Sequence, residues 1–191
     1  MNGRSDPHDN SVPSAWMARF AALVAPNARV LDVAAGRGRH ARFFAARGAH
    51  VTAVDTDANA LAVLDRVPGV TTHVADLEGG PWPFADAAFD AVVVANYLHR
   101  PRFANLLDAL VPDGVLLYET FAAGNEAFGR PANPAFLLHR DELLERVRGR
   151  LSIVAFEQGR TGANDRVAVV QRIAAVGRER AWPSLLPPGV G

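Results

Sequence analysis

The sequence contains no cysteine. Disulfides, thiolate metal sites, iron–sulfur clusters and cysteine nucleophiles are thereby excluded, and a reducing, cytoplasmic setting is the expectation. Charge of either sign is not in excess, since 20 Lys+Arg balance 20 Asp+Glu. Without that bulk attraction for polyphosphates, nucleic acid is not an expected partner. Long apolar runs are missing as well. The nearly uncharged stretches Ala91–Ala95 and Gly114–Tyr118 fall far short of the roughly 20 residues of a membrane span, so no membrane association is expected. The polar start Met1–Asp6 leads into Pro7 with no signal-type apolar stretch behind it. The six histidines show no paired spacing of the kind that holds zinc, so no metal centre is expected. What is present is a chain of 191 residues, 49% hydrophobic, with no internal repeat, which suits one soluble core.

Short β-branched apolar runs recur at Val30–Ala34, His50–Asp55, Val70–Asp76, Phe89–Ala95 and Val115–Phe121. Helical patterns lie between them at Gly38–Arg47, Ala58–Asp65 and Arg102–Leu110. Runs that are apolar throughout predict strands covered on both faces, hence a parallel, doubly wound α/β sheet. Gly48, Pro68-Gly69 and Pro112-Asp113-Gly114 supply the punctuation. Asp141–Arg148 reads as a helix. The runs Leu151–Gln158 and Arg166–Ile173 follow, joined by the turn-rich Gly159–Asp165, which is too short for a crossover and predicts an antiparallel pair. Seven strands are expected in all. Ser14–Val24 reads as an N-terminal helix capped by Ser14. The domain is expected over residues 14–174, between a flexible segment 1–13 and a Pro-containing tail 175–191. The long Gly-, Asn- and Pro-rich stretch Ala122–Arg140 is the expected lid or pocket loop.

The sharpest motif is Asp32-Val33-Ala34-Ala35-Gly36-Arg37-Gly38-Arg39-His40, a buried strand ending in a glycine turn before a helix. Such a turn lets backbone approach a ligand at the carboxyl edge of the sheet. Asp55 closes the next strand, where a carboxylate can accept both hydroxyls of a ribose. Asp76-Leu77 closes the third, suited to an adenine through the carboxylate and the next backbone N–H. Two ligands fit this turn: a dinucleotide, or S-adenosylmethionine. Asp32 would oppose a pyrophosphate, whereas three strand-end acids suit a cationic nucleoside. Each acid also has a structural alternative: Asp32 capping its own turn, Asp55 capping the helix near Ala58, and Asp76 closing a polar loop.

Asp32-x-Ala34-x-Gly36-x-Gly38, Asp55, Asp76-Leu77 and Asn96 resemble the sequential motifs of class I S-adenosylmethionine-dependent methyltransferases, over about residues 14–173. Within that superfamily the chain is most similar to small bacterial enzymes of the tellurite-resistance type, which share the Gly-Arg-His helix start. The resemblance implies an S-adenosylmethionine site at Asp32, Ala34, Gly36, Gly38, Asp55, Thr56, Asp76, Leu77 and Asn96. Ala34 replaces the usual first glycine; alanine is tolerable there if φ is negative, but slightly crowds the amino-acid end of the cofactor.

Methyl transfer needs acceptor and methyl held about 3 Å apart and water excluded, and no nucleophilic side chain. Pyrimidine carbon-5 methylation through a cysteine adduct is excluded, and Asn96-Tyr97-Leu98-His99 lacks the prolines usual for base-amine methylation. A small-molecule acceptor is expected. The candidate catalytic residues are His99 as general base, Tyr97 and Glu119. Glu119, in an apolar strand, is expected to face the cleft, with Arg130 or Arg140 as alternative partners. Trp16, Arg100, Asn125, Phe128 and Arg130 are the candidate acceptor pocket, although docking its helix on the core is the more usual role for an apolar residue placed as Trp16 is. A nicotinamide-dependent oxidoreductase and a non-catalytic ligand-binding protein of the same fold remain open.

Overall fold

The computed structural model describes residues 12–162 and 167–181. Most of the expected segment 1–13, residues 163–166 of the expected hairpin and the stretch 182–191 lie outside the described residues. The strands are β1 (Arg29–Val33), β2 (His50–Asp55), β3 (Val70–Val74), β4 (Phe89–Ala95), β5 (Leu110–Phe121), β6 (Leu151–Thr161) and β7 (Ala168–Gly177). They form one sheet in the order β3-β2-β1-β4-β5-β7-β6. Pairing is parallel from β3 to β5, and β7 pairs antiparallel with both β5 and β6. The doubly wound fold with a C-terminal antiparallel hairpin is therefore the one that the apolar periodicity predicted.

Alternation along the strands divides the core. Val30, Val93 and Leu117 face α1 (Ala15–Phe20), α2 (Arg39–Ala45) and α3 (Ala58–Ala62). Leu31, Val92 and Leu116 face α4 (Phe103–Asp108) and α5 (Glu142–Val147). Both faces are covered, which is why these strands read as continuous apolar runs. Each fully buried Leu or Val contributes roughly 1.5–3 kcal/mol.

The ends of the elements differ from the sequence expectation for local reasons. The N-terminal helix stops at Phe20 and tightens into a 3₁₀ turn over Ala21–Leu23, with Ser14 Oγ accepting the Met17 N–H at 3.1 Å as the expected cap. β3 ends at Val74, two residues early, because the Asp76 carboxylate draws the N–H groups of Glu78 and Gly79 into a turn. The cap of α3 is Asp57, which accepts the Asn59 and Ala60 N–H groups, rather than Asp55. β7 runs on to Gly177, whose partner is Leu151.

Candidate functional site

Parallel pairing brings the C-terminal ends of β1, β2, β3 and β4 to one edge. There a cleft of about 420 Å³ is lined by Ala34, Val54, Asp55, Thr56, Ala75, Asp76, Leu77, Glu78 and Tyr97. The fold thus brings together Ala34, Asp55, Thr56, Asp76 and Leu77 of the expected cofactor set, and Tyr97 of the expected catalytic set.

Asp32, on β1 beneath the turn, is 2% exposed, and its Oδ2 is buried without a hydrogen-bond partner. Burial pushes its carboxyl up to about 7, against the opposing pull of the Ala41 N–H in the first turn of α2 and of the Arg39 charge. A buried carboxylate with an unpartnered oxygen is suited to a cationic ligand group, which would favour its ionised form.

The turn itself is strained in the left-handed region. Ala34 has φ +52°, Gly36 +53° and Gly38 +73°. Ala34 thus lacks the negative φ at which alanine would be tolerable, and its methyl bears a cost of roughly 1–2 kcal/mol that glycine would avoid. Gly38 caps α2 and faces Leu64 so closely that a Cβ would overlap that side chain, whereas a Cβ on Gly36 would meet open space. The turn's N–H groups are largely committed: Ala35 donates to the Val54 carbonyl at 3.0 Å, Gly36 to Asp55 Oδ2 at 2.8 Å, and Gly38 to the Ala35 carbonyl at 2.8 Å. These donors do not form an open cradle for a pyrophosphate, unlike the helix N-terminus of a dinucleotide site.

Asp55 lines the cleft, its other oxygen accepting the Asp57 N–H at 2.9 Å. Asp76 uses one oxygen, Oδ1, for Glu78 and Gly79 at 2.9 and 3.0 Å, and these bonds hold its carboxyl below the usual carboxylate range. The loop-closing alternative for Asp76 is therefore realised, while the residue still lines the cleft. Asn96, exposed at φ +57°, donates its N–H to the Glu119 carbonyl at 2.9 Å.

Tyr97 lines the cleft, and its hydroxyl is buried without a hydrogen-bond partner. Burial and the carboxylates of Glu78 and Asp76 push the phenol up to about 12, so it is a neutral donor at pH 7 and unsuited to act as a base. His99 Nδ1 lies 3.7 Å from Glu78 Oε2.

Several expected acceptor-side residues are used elsewhere. Glu119 is buried, but its partner is neither Arg130 nor Arg140: Arg172, directly opposite on β7, brings Nε within 2.6 Å of Oε2. Arg172 continues to Glu157 at 3.6 Å, and Glu157 to Arg19 of α1 at 2.9 Å, so Glu119 closes a charge ladder rather than facing the cleft. Arg100 forks onto Glu142 at 2.9 and 2.8 Å and donates to the carbonyls of Ala135 and Leu137, which makes it a clamp on the loop before α5. Asn125, 2% exposed, ties that loop together by donating to the Pro131 carbonyl and accepting the Val169 N–H, both at 3.0 Å. Trp16 is 2% exposed, packs on Phe20 and donates to the Ile173 carbonyl, so it docks α1. Phe128 and Arg130 are exposed, and Phe128 carries the Arg160 guanidinium 5.8 Å from its ring centre.

Sequence reasoning missed Glu78, Arg102, Arg172 and Glu142. An arginine inside the apolar run Val169–Ile173 was the available signal for Arg172, but its partner follows only from strand register. His40 is 3% exposed in the first turn of α2 and accepts the Ser14 N–H at 3.2 Å through Nε2. Burial lowers it to about 3, which keeps that acceptor neutral.

Residues 30–114 match the family model described as a methyltransferase domain. Among curated proteins, the demethylmenaquinone methyltransferase of Clavibacter sepedonicus is 36% identical over 121 residues, covering 56% of this chain and 47% of that protein. The one of Parafrankia sp. (strain EAN1pec) is 33% identical over 141 residues, 61% of this chain and 54% of that protein. The chain spans about half the length of these curated relatives. Among solved structures, TehB from Haemophilus influenzae superposes with a TM-score of 0.74 at 17% identity, over 90% of this chain and 64% of that one, a likeness of fold.

Proposed function

Because the chain carries the fold and the matched domain segment of the class I S-adenosylmethionine-dependent methyltransferases, we propose that it transfers a methyl group from S-adenosylmethionine to a small-molecule acceptor. The observation that carries this reading is the row of carboxylates at consecutive strand ends, Asp32, Asp55 and Asp76, with a buried unpartnered oxygen on Asp32 and a cleft beside the other two.

On this reading Asp32 receives the cofactor's ammonium and Asp55 its ribose hydroxyls. Asp76 and the Leu77 N–H receive the adenine, with Thr56 and Tyr97 as walls. Gly36, over which a Cβ would meet open space, leaves room for the amino-acid end, and Gly38 and Ala34 shape the turn. When bound, S-adenosylmethionine supplies an electrophilic methyl carbon on a sulfonium. The chain's own task is to hold the acceptor in line with that carbon and to keep water out. Asn96 and His99 after β4 are the acceptor-side candidates, with the exposed Phe128 and Arg130 on the loop after β5.

The curated relatives are named for a small molecule, demethylmenaquinone. Together with the zero net charge, this favours a small-molecule acceptor over nucleic acid. A cytoplasmic setting belongs to the same reading. It is supported by the cysteine-free sequence, and no described helix is long and apolar enough to cross a membrane.

Calorimetric titration with S-adenosylhomocysteine and with NAD tests the cofactor assignment. The wild-type chain is expected to bind S-adenosylhomocysteine in preference to NAD. Asp32→Asn removes a negative charge beside the turn, so it weakens S-adenosylhomocysteine and strengthens NAD. Tighter NAD binding with no loss for S-adenosylhomocysteine would overturn the methyltransferase reading in favour of a dinucleotide enzyme.

A further inference from the structure

Arg102 ends the 3₁₀ turn Arg100–Arg102 that follows β4, and its side chain is half-buried. It makes no ion pair within 4.0 Å among the described residues; its guanidinium is directed at backbone. Nε donates to the Leu77 carbonyl at 2.7 Å, and Nη2 donates to the Gly80 carbonyl. Both oxygens belong to the turn after β3.

Within that turn, Asp76 Oδ1 accepts the N–H groups of Glu78 and Gly79, and Gly80 donates to the Asp76 carbonyl at 3.0 Å. The turn is therefore closed on itself by Asp76 and fastened to the segment after β4 by one fork. The Leu77 side chain, 5% exposed, anchors the turn in the core, while the strand that precedes the turn adds little. β3 is the edge strand of the sheet, only Val70–Val74 in length, and Val74 is 57% exposed. The planar guanidinium, with its fixed pair of donor directions, sets both the height and the tilt of the turn, as a single ammonium would not.

We propose that Arg102 is a positioning residue that sets the Asp76–Gly80 turn so that Asp76 and the Leu77 N–H select an adenine base over other purines. The inference rests on the methyltransferase reading above and deepens it, because it assigns base selectivity to a residue outside the cleft lining. Arg102 acts through the turn: it holds the carbonyls of Leu77 and Gly80, and Gly80 donates to the Asp76 carbonyl, which shares a peptide unit with the Leu77 N–H, so that N–H and the Asp76 carboxylate present a fixed donor and acceptor to the base. Adenine matches that pair with its ring nitrogen and exocyclic amine. Hypoxanthine puts a carbonyl oxygen against the carboxylate instead.

The test titrates wild type, Arg102→Met and Arg102→Lys with S-adenosylhomocysteine and S-inosylhomocysteine, with thermal unfolding recorded alongside. Wild type is expected to prefer the adenosyl ligand by about tenfold, the scale of one mismatched polar contact. Arg102→Met keeps the bulk and removes both donors. It should weaken the adenosyl ligand about tenfold and the inosyl ligand much less, so that the preference nearly disappears. Arg102→Lys keeps the charge but not the fork and should fail to restore the preference; it decides the matter alone if the methionine variant does not fold. A lowered Tm with the ratio of the two affinities unchanged means a structural role only and overturns the proposal. Wild-type binding of neither ligand overturns the methyltransferase reading, and this inference with it.

Discussion

Asp55→Ala probes the cleft most directly, because both Asp55 oxygens already hold backbone and each retains a lone pair for a ligand. Oδ2 accepts the Gly36 N–H at 2.8 Å and Oδ1 the Asp57 N–H at 2.9 Å, which fixes the carboxylate in the cleft wall. A preset carboxylate loses little freedom when it takes two ribose hydroxyls. Each charge-assisted bond is worth roughly 1.5–3 kcal/mol, and water entering the mutant site recovers part of the sum, leaving a net loss of about 2–4 kcal/mol. In dissociation constant that is about thirtyfold to a thousandfold for S-adenosylhomocysteine. The two backbone donors that lose their acceptor are partly solvent-reached, so folding should weaken by only about 1–2 kcal/mol, or a few degrees in Tm. Calorimetry with S-adenosylhomocysteine, on protein whose circular dichroism matches wild type, reads the affinity. A folded Asp55→Ala variant within about threefold of wild type would refute the ribose assignment.

Two further predictions concern the frame of the site. Burial works to raise the Glu142 carboxyl, but hydrogen bonds from Arg100, the His139 N–H and Arg146 outweigh it and hold the group down to about 2. Its folded value lies below the unfolded value, so its stabilisation is complete above about pH 4.5 and is lost as pH falls towards 2. At about 1.4 kcal/mol per pH unit, discounted for solvent around the two guanidiniums, the effect is about 2 kcal/mol. The Tm gap between wild type and Glu142→Gln should therefore narrow from pH 6 to pH 3, and a constant gap would exclude the ion-pair origin. Gly38→Ala and Gly36→Ala should separate stability from binding. Gly38→Ala combines left-handed backbone with overlap on Leu64 and should lower Tm by about 5–10 °C. Gly36→Ala should lower Tm less and weaken S-adenosylhomocysteine more; equal melting losses would show that the two glycines do not differ in this way.

The sequence by itself determined the sheet and the location of the cleft. Apolar runs that carry Asp32, Asp55 and Asp76 at or near their C-terminal ends have their own direction, and in a parallel sheet strand direction alone sends all three ends to one edge. Helix caps such as Ser14 were legible for the same reason: they are local, and the backbone donor they satisfy lies within three residues. The tertiary structure decided what depends on partners distant along the chain or on individual dihedral angles. Glu119 looked free to face the cleft until register placed Arg172 opposite it, because a period of two says which face a residue takes but not which residue on the next strand it meets. Arg100 and Asn125 have the chemistry of pocket residues, yet long or branched polar side chains satisfy whichever carbonyls and carboxylates the folded loop brings within reach. The left-handed φ of Ala34 had no local marker, since alanine is not a residue that turns require there and only the surrounding strand and helix hold it in place.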